Sequence, residues 1–388
     1  MKSHKIGNRQ QAIGNSFLTL LMPHAFRLVP LWLLLSNGVA GAAEIAGKNE
    51  WDNLVAAAEK EGQLVVYTGG VASAAKIEEV FQKAYPKIKV ISVAGRGSQL
   101  GPRIIAERRA GKYLADVYIG GKGTPSATLY PGKVLAPIQP LFVLPEVLDQ
   151  SKWFQGKHKY VDPEEKYIFA FVGSGGGVEI NYNTALVNPK EFKSYWDLLN
   201  PKWKGKIVAT DPRLPGSGTT TLFFYYHSKL GPEFMRRLYG EMEVTLTRDY
   251  RQPVDWLATG KFAICVPCYN GEVEKAIKQG LPLGEMLNLQ EGGTLSAGGG
   301  TLTFIDGAPH PNAAKLFVNW LLSREGQIQF QARDGSDSRR IDIPKQNVMQ
   351  QNRRLDGVEY FDADDPKFAD RGPADKLLNE IFSKTARQ

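Results

Sequence analysis

Six short segments hold the residues of this 388-residue chain whose types and spacing could do chemistry. They are Thr68-Gly69-Gly70, Gly95-Arg96-Gly97-Ser98, Gly120-Gly121, Gly173-Ser174-Gly175-Gly176-Gly177, Gly216-Ser217-Gly218-Thr219-Thr220 and Cys268-Tyr269-Asn270. Several stand directly before a segment with helical spacing. Main-chain N–H groups left free at a helix N-terminus, together with the helix dipole, attract an anion. The hydroxyls of Thr68, Ser98, Ser217, Thr219 and Thr220 add donors. Arg96, Arg213 and Arg251 lie in or beside these loops, and a guanidinium can grip a carboxylate or phosphate through two parallel hydrogen bonds. One glycine turn alone is more often just a helix start. The repetition in both halves points to a small, oxygen-rich, anionic ligand. The residues expected to bind it are Thr68, Gly69, Gly70, Arg96, Gly97, Ser98, Gly121, Ser217, Gly218, Thr219, Arg251 and Tyr269.

Enzyme chemistry lacks its usual parts. There is no G-x-x-x-x-G-K-[ST], no G-x-G-x-x-G and no G-x-S-x-G. Beyond the N-terminal segment the only histidines are His158, His227 and His310, far apart and without H-E-x-x-H spacing. His310, between two prolines, reads as a neighbour of a helix cap. The paired acids Glu78-Glu79 and Glu164-Glu165 read as solvated faces. No enzyme, catalytic residue or cofactor is expected. Cys265 and Cys268, the only cysteines, are spaced C-V-P-C at the end of an apolar, strand-like run. That placement suits a local disulfide or two buried thiols rather than a redox pair, which would open a helix. Two sulfurs without a histidine nearby make no zinc site.

The elements that must position these loops alternate. A helix with Leu54, Val55 and Ala58 on one face ends at Gly62, and Gln63–Tyr67 is a continuously apolar strand of the kind buried on both faces. A helix through Ile77, Val80, Phe81 and Ala84 follows, then a strand at Ile88–Val93, a helix to Arg109 and a strand at Ala115–Ile119. A second series runs through Tyr167–Val172, Val178–Tyr182, Ile207–Thr210 and Ala263–Val266, with a helix from about Glu272. Thr301–Ile305 is a last strand, and Pro311–Phe330 a single amphipathic helix. Strand–loop–helix repetition implies parallel α/β sheets, here two, joined by crossing segments that act as a hinge. The expected division is lobe 1 from 44–140 plus 290–335, lobe 2 from 165–289 plus 336–388, and a connecting segment at 141–164. The polar tail from about Ile343 reads as late helices packed on the outside.

Residues 1–43 carry Lys2, Lys5, Arg9 and Arg27 but no acid, then the apolar run Leu28–Leu35 and small residues up to Ala43. This is the make-up of a secretory signal, cleaved near residue 42 or 43, and Met22 could itself be its start. The run falls short of the ~20 residues of a spanning helix. Its loss removes four cations and leaves +4 of the formal +8. That charge is too mild for nucleic acid, and no basic block interleaved with aromatics occurs.

The stretches E-K-E-G-Q-L-V-V-Y-T-G, A-D-V-Y-I-G-G, D-P-R-L-P-G-S-G and P-H-P-N-A-A-K-L-F-V-N-W-L-L-S-R-E-G-Q resemble the periplasmic substrate-binding proteins of ABC importers. More narrowly, they are similar to the type II cluster of ferric-iron, thiamine, phosphonate and sugar-phosphate binders. The resemblance implies a two-lobed, monomeric receptor that closes on a solute and docks on a membrane permease. Ferric binders of this cluster place adjacent tyrosines where this chain has Cys268-Tyr269, and a histidine where it has Thr68-Gly69-Gly70-Val71. Only Tyr269 matches, a thin set for Fe(III). Tyr225-Tyr226 lies inside a helix and reads as core. A carboxylated or phosphorylated solute is therefore expected, with ferric iron, free or chelated, as the alternative and a secreted α/β hydrolase or transferase as a third reading.

Overall fold

The computed structural model describes residues 49–385 other than 71, 177–179, 215–217, 250, 269 and 287–288. The expected leader, Ser217 and Tyr269 lie outside them. In chain order, helix α1 (49–61) is followed by β1 (Gln63–Gly69), α2 (Ala72–Ala75), α3 (Ile77–Ala84) and β2 (Lys89–Gly95). Next come α4 (Gly97–Arg109), β3 (Val117–Gly120), β4 (Leu135–Ala136), α5 (Pro145–Leu148), β5 (Ile168–Ala170), β6 (Ser174–Gly176) and β7 (Ile180–Asn183). Then β8 (Ile207–Thr210), α6 (Gly218–Tyr226), α7 (Gly231–Glu241), β9 (Thr245–Thr247), α8 (Gln252–Ala258), β10 (Ile264–Cys265) and α9 (Asn270–Lys278). The chain ends with β11 (Leu283–Met286), β12 (Gly293–Ser296), β13 (Thr301–Ile305), α10 (Pro311–Leu322), α11 (Arg324–Asp334), β14 (Tyr360–Asp362) and α12 (Gly372–Thr385).

The first sheet has the order β2-β1-β3-β13-β4, with β5 also on β13. β1, β2 and β3 are parallel, and β13 returns antiparallel to β3. Because β1 is covered on both faces, its alternate residues serve two cores. Leu64 and Val66 pack with Phe81 and Phe317, whereas Val65 and Tyr67 pack with Leu100 and Ile104 of α4. The second sheet runs β11-β7-β10-β8-β9, with β8, β9 and β10 parallel. Here Ile207 and Ala209 face one core, and Val208 joins Cys265 on the other. This is the expected two-lobed α/β architecture.

Four local readings are corrected. The stretch 311–330 is two helices: Ser323 is extended, and its hydroxyl accepts the N–H of Gly326 at 3.1 Å to cap α11. Gly326 permits the close turn, since a Cβ there would lie 2.0 Å from the Trp320 carbonyl oxygen. β5 joins the first sheet through β13 instead of opening the second. The tail contributes β14, and its Phe361 and the following Ala363 sit in the second lobe's core. Glu78 is only 4% exposed and accepts from the Ser92 hydroxyl at 2.6 Å, so one side of β2 draws it inward.

A third, three-stranded sheet, β14-β12-β6, was not anticipated. β6 leads from the first lobe to the second, and β12 leads back. The glycines at 173–176 therefore belong to this crossing. A Cβ at Gly173 would come 2.9 Å from Arg339 Cγ, and one at Gly175 2.9 Å from Tyr360 Cζ. Their bareness serves close packing. Replacing Ser323 with alanine removes a helix cap and should lower unfolding stability by about 1 kcal/mol, read as a lower urea midpoint at unchanged slope.

Candidate functional site

In the first lobe the predicted loops converge on one phenol. Gly69 pairs with Gly95 in the β1–β2 ladder, and Gly70 N–H donates to the Gly95 carbonyl at 3.0 Å. Tyr118 of β3 rises beneath them. A Cβ on Gly69 would lie 2.1 Å from its hydroxyl, one on Gly120 2.5 Å and one on Gly97 3.2 Å. Three loops therefore close over Tyr118 because each brings a residue without a side chain. Burial raises the pKa of this phenol, and a hydrogen bond with Thr124 opposes the rise. Gly121 sits against the Gly298 carbonyl, its Cβ position 3.2 Å away. Thus Thr68, Gly69, Gly70, Arg96, Gly97, Ser98 and Gly121 share one tip, at the carboxyl ends of the parallel strands, where open α/β sheets bind ligands.

Two of these residues face outward. Arg96 and Ser98 are exposed at the start of α4, Arg96 as its N-cap. The Arg96 side chain makes no ion pair or hydrogen bond with the described residues. Thr68 is buried, and its hydroxyl has no hydrogen-bond partner among the described residues. A buried hydroxyl is costly until it finds a partner.

The second lobe's tip is held by β8, β9 and β10. The Thr210 hydroxyl donates to the Pro267 carbonyl at 3.1 Å, and Asp211 N–H donates to the Thr247 carbonyl at 2.8 Å. Gly218 opens α6, and Thr219 next to it is exposed. Cys265 and Cys268 are joined in a disulfide and wholly buried, closing the turn from β10 toward α9. Asn181 on β7, paired with Cys265, is buried with neither amide atom partnered among the described residues; sequence reasoning missed it. The stretch Val178–Tyr182 reads only as a strand, and one asparagine inside it carries no signal of its own.

The other two arginines are engaged. Arg251 caps α8, with Nε 2.8 Å from Asp255 and Nη1 3.4 Å from Glu272 of α9. Arg213 grips Asp211 through Nε at 2.8 Å and Nη2 at 2.7 Å. Arg213 first, and Arg248 3.8 Å away, hold the buried Asp211 carboxyl below the usual carboxylate range. The ring of Tyr225 lies edge-on to Tyr226, whose hydroxyl donates to the Asp370 carbonyl at 2.7 Å. That pair packs against the core.

Buried charge gathers where the lobes join. Arg339 and Arg340 are 2% and 0% exposed, and Asp337 is fully buried. Asp337 pairs with Lys345 and, at 3.2 Å, with Arg354. The alternation Tyr360-Phe-Asp-Ala-Asp364 is the sequence signal that could have disclosed this region.

Gly69→Ala should lower the melting temperature by forcing Tyr118 out of its seat, and adding Tyr118→Phe should recover part of the loss. Arg213→Met tests the Asp211 pair. A carboxyl whose folded pKa is depressed stabilises above its unfolded value of about 3.9 and loses that contribution as the pH falls through the folded pKa. The gap in urea midpoint between wild type and Arg213→Met should therefore be widest near neutral pH and shrink well below pH 4.

Among known proteins, the chain is 27% identical over 280 residues to an uncharacterised protein of Haemophilus influenzae, covering 70% of this chain and 75% of that one. It is similar to the FutA protein of Trichodesmium solved with iron and citrate, at TM-score 0.60 and 18% identity, over 82% of this chain and 99% of that one. It is also similar to the periplasmic binding protein AfuA of Actinobacillus pleuropneumoniae solved with fructose 6-phosphate, at TM-score 0.54 and 20% identity, over 83% and 98%. The family model for bacterial extracellular solute-binding proteins matches residues 66–328, and the chain belongs to that family.

Proposed function

We propose that this protein captures a small carboxylated or phosphorylated anion between its lobes and delivers it, as a monomer, to the membrane permease of an ABC importer. Residues 1–43 would direct its export to the periplasm. Arg96 carries the reading. Arg213 and Arg251 already face carboxylates, whereas the exposed Arg96 guanidinium faces none among the described residues. Beside it the first N–H groups of α4 lack intrahelical acceptors, as at every helix start, and add their own pull on negative charge. The lone Thr68 hydroxyl would supply a further hydrogen bond. Binding alone needs no nucleophile or base. Closure requires only that the solute touch both lobes better when they are shut.

Two of the similar folds accord with the anionic class, while a third is the substrate-binding protein of a spermidine/putrescine transporter. Citrate and fructose 6-phosphate are both oxygen-rich anions. Iron carried as an anionic chelate would use the same tip, while direct Fe(III) binding would call on Tyr269.

Titration calorimetry with citrate, ferric citrate and fructose 6-phosphate tests the reading. Arg96→Ala should weaken the anion that binds at least tenfold, a loss of about 1.4 kcal/mol, with little change in melting temperature. Equal affinity in wild type and variant would remove the anion clamp. A tyrosinate-to-iron colour on loading, abolished by Tyr269→Phe, would transfer the site to iron.

A further inference from the structure

Arginines gather at the second lobe's tip, and most of them are committed to the protein. Arg213 grips Asp211 through two nitrogens and lies over the Phe382 ring, with Cζ 4.7 Å from the centroid. Arg251 faces Asp255 at 2.8 Å and Glu272 at 3.4 Å. Arg371 pairs with Asp375 at 2.8 Å and donates to the Leu214 carbonyl at 3.4 Å and to the Pro212 carbonyl. Arg248 is different. Its side chain is 77% exposed, and its contact with Asp211 is 3.8 Å long, beyond hydrogen-bond range. It makes no hydrogen bond with the described residues.

Strand register places Arg248. β9 runs parallel to β8 with Thr247 paired to Thr210, so Arg248 leaves the sheet beside Asp211. That is the carboxyl end of the strands, where open α/β sheets bind ligands. The main chain on either side is pinned. The Thr247 carbonyl accepts the Asp211 N–H at 2.8 Å, and the Thr247 hydroxyl accepts the Asp249 N–H at 3.1 Å. Asp249 in turn accepts the N–H groups of Arg251 at 2.7 Å and Gln252 at 2.8 Å, at the start of α8. A fixed backbone with a free side chain presents its cation with little further loss of loop freedom on binding. Drawing Arg248 toward a solute also leaves no acid stranded, because Asp211 keeps both nitrogens of Arg213. The exposed 3.8 Å pair that is given up contributes little.

We propose that Arg248 is the second lobe's ligand-binding cation and sets specificity for solutes with at least two negative charges. One charge meets Arg96 and the start of α4 on the first lobe, and the other meets Arg248. Arg248 thereby takes the part that the sequence suggests for Arg251, whose guanidinium is occupied by two carboxylates. A solute with a single charge satisfies one arginine and leaves the other in water, so it favours the shut form less. Polycarboxylates and phosphate esters meet the requirement, and monocarboxylates do not. The inference rests on the anion reading above and adds to it the second contact.

Titration calorimetry on the purified full chain tests this, with citrate and fructose 6-phosphate as probes and gluconate as the single-charge comparison. Arg248→Gln should weaken the anion that binds roughly tenfold or more, with the melting temperature unchanged. Arg248→Lys should keep most of the affinity, and Arg248→Glu should lose more than Arg248→Gln, an order by charge that a packing role would not produce. Gluconate should bind the wild type roughly tenfold or more weakly than that anion, and should lose less on Arg248→Gln. Unchanged affinity in Arg248→Gln beside a loss in Arg96→Ala overturns the role of Arg248 and leaves the anion reading standing. Gluconate binding as tightly as the better anion overturns the two-charge requirement. If neither citrate nor fructose 6-phosphate binds the wild type, the anion reading and this inference fail together.

Discussion

Main-chain hydrogen bonds between β6, β12 and β14 turn passages of the chain between the two large sheets into a sheet of their own. β12 pairs antiparallel with β6 through Thr294–Gly176 to Ser296–Ser174, and parallel with β14 through Gly293–Tyr360 to Leu295–Asp362. Without those bonds the lobes would be tethered by linkers, and their tips would have no fixed relation. A narrow sheet leaves little room for side chains, so bare glycine at 173 and 175 lets Arg339 and Tyr360 close in. It also offers little apolar area, so the join is made by hydrogen bonds and ion pairs. Such pairs are costly to bury, but they fix one geometry when every member is matched. Asp337, Arg354 and Lys345 form one matched set, and Arg340, between Asp342 at 2.8 Å and Glu146 at 3.1 Å, another.

Much of this was legible in the chain because it is local. Continuous apolar runs such as Leu64–Val66 announce strands buried on both faces, and each was found within a residue or two of its place. The Gly69, Gly97 and Gly120 turns announced strand ends. What could not be read was their reason: they accommodate Tyr118, distant in sequence from two of the three, and only the ladder registers bring them together. The Pro311–Phe330 stretch misled because helical spacing continues across Ser323, where a serine cap and a glycine three residues on restart the helix with no apolar break.

Short, polar crossing strands were the hardest to see. β6 is Ser-Gly-Gly and β12 Gly-Thr-Leu-Ser, compositions that read as loop. Their pairing is bought by long-range register and not by propensity. The acids of β14 look solvated in isolation, and only the arrival of Phe361 in a core shows that their neighbours must point elsewhere.

The seat around Tyr118 has an evolutionary corollary. Its glycines are committed to packing, so they cannot vary without loss of the tip, whereas Arg96 and Ser98 stand on the rim with their side chains in solvent. On the proposed reading, cargo preference can drift by single substitutions on that rim while the scaffold beneath is inherited unchanged. One framework of this kind suits a lineage of receptors whose guests differ far more than their backbones do.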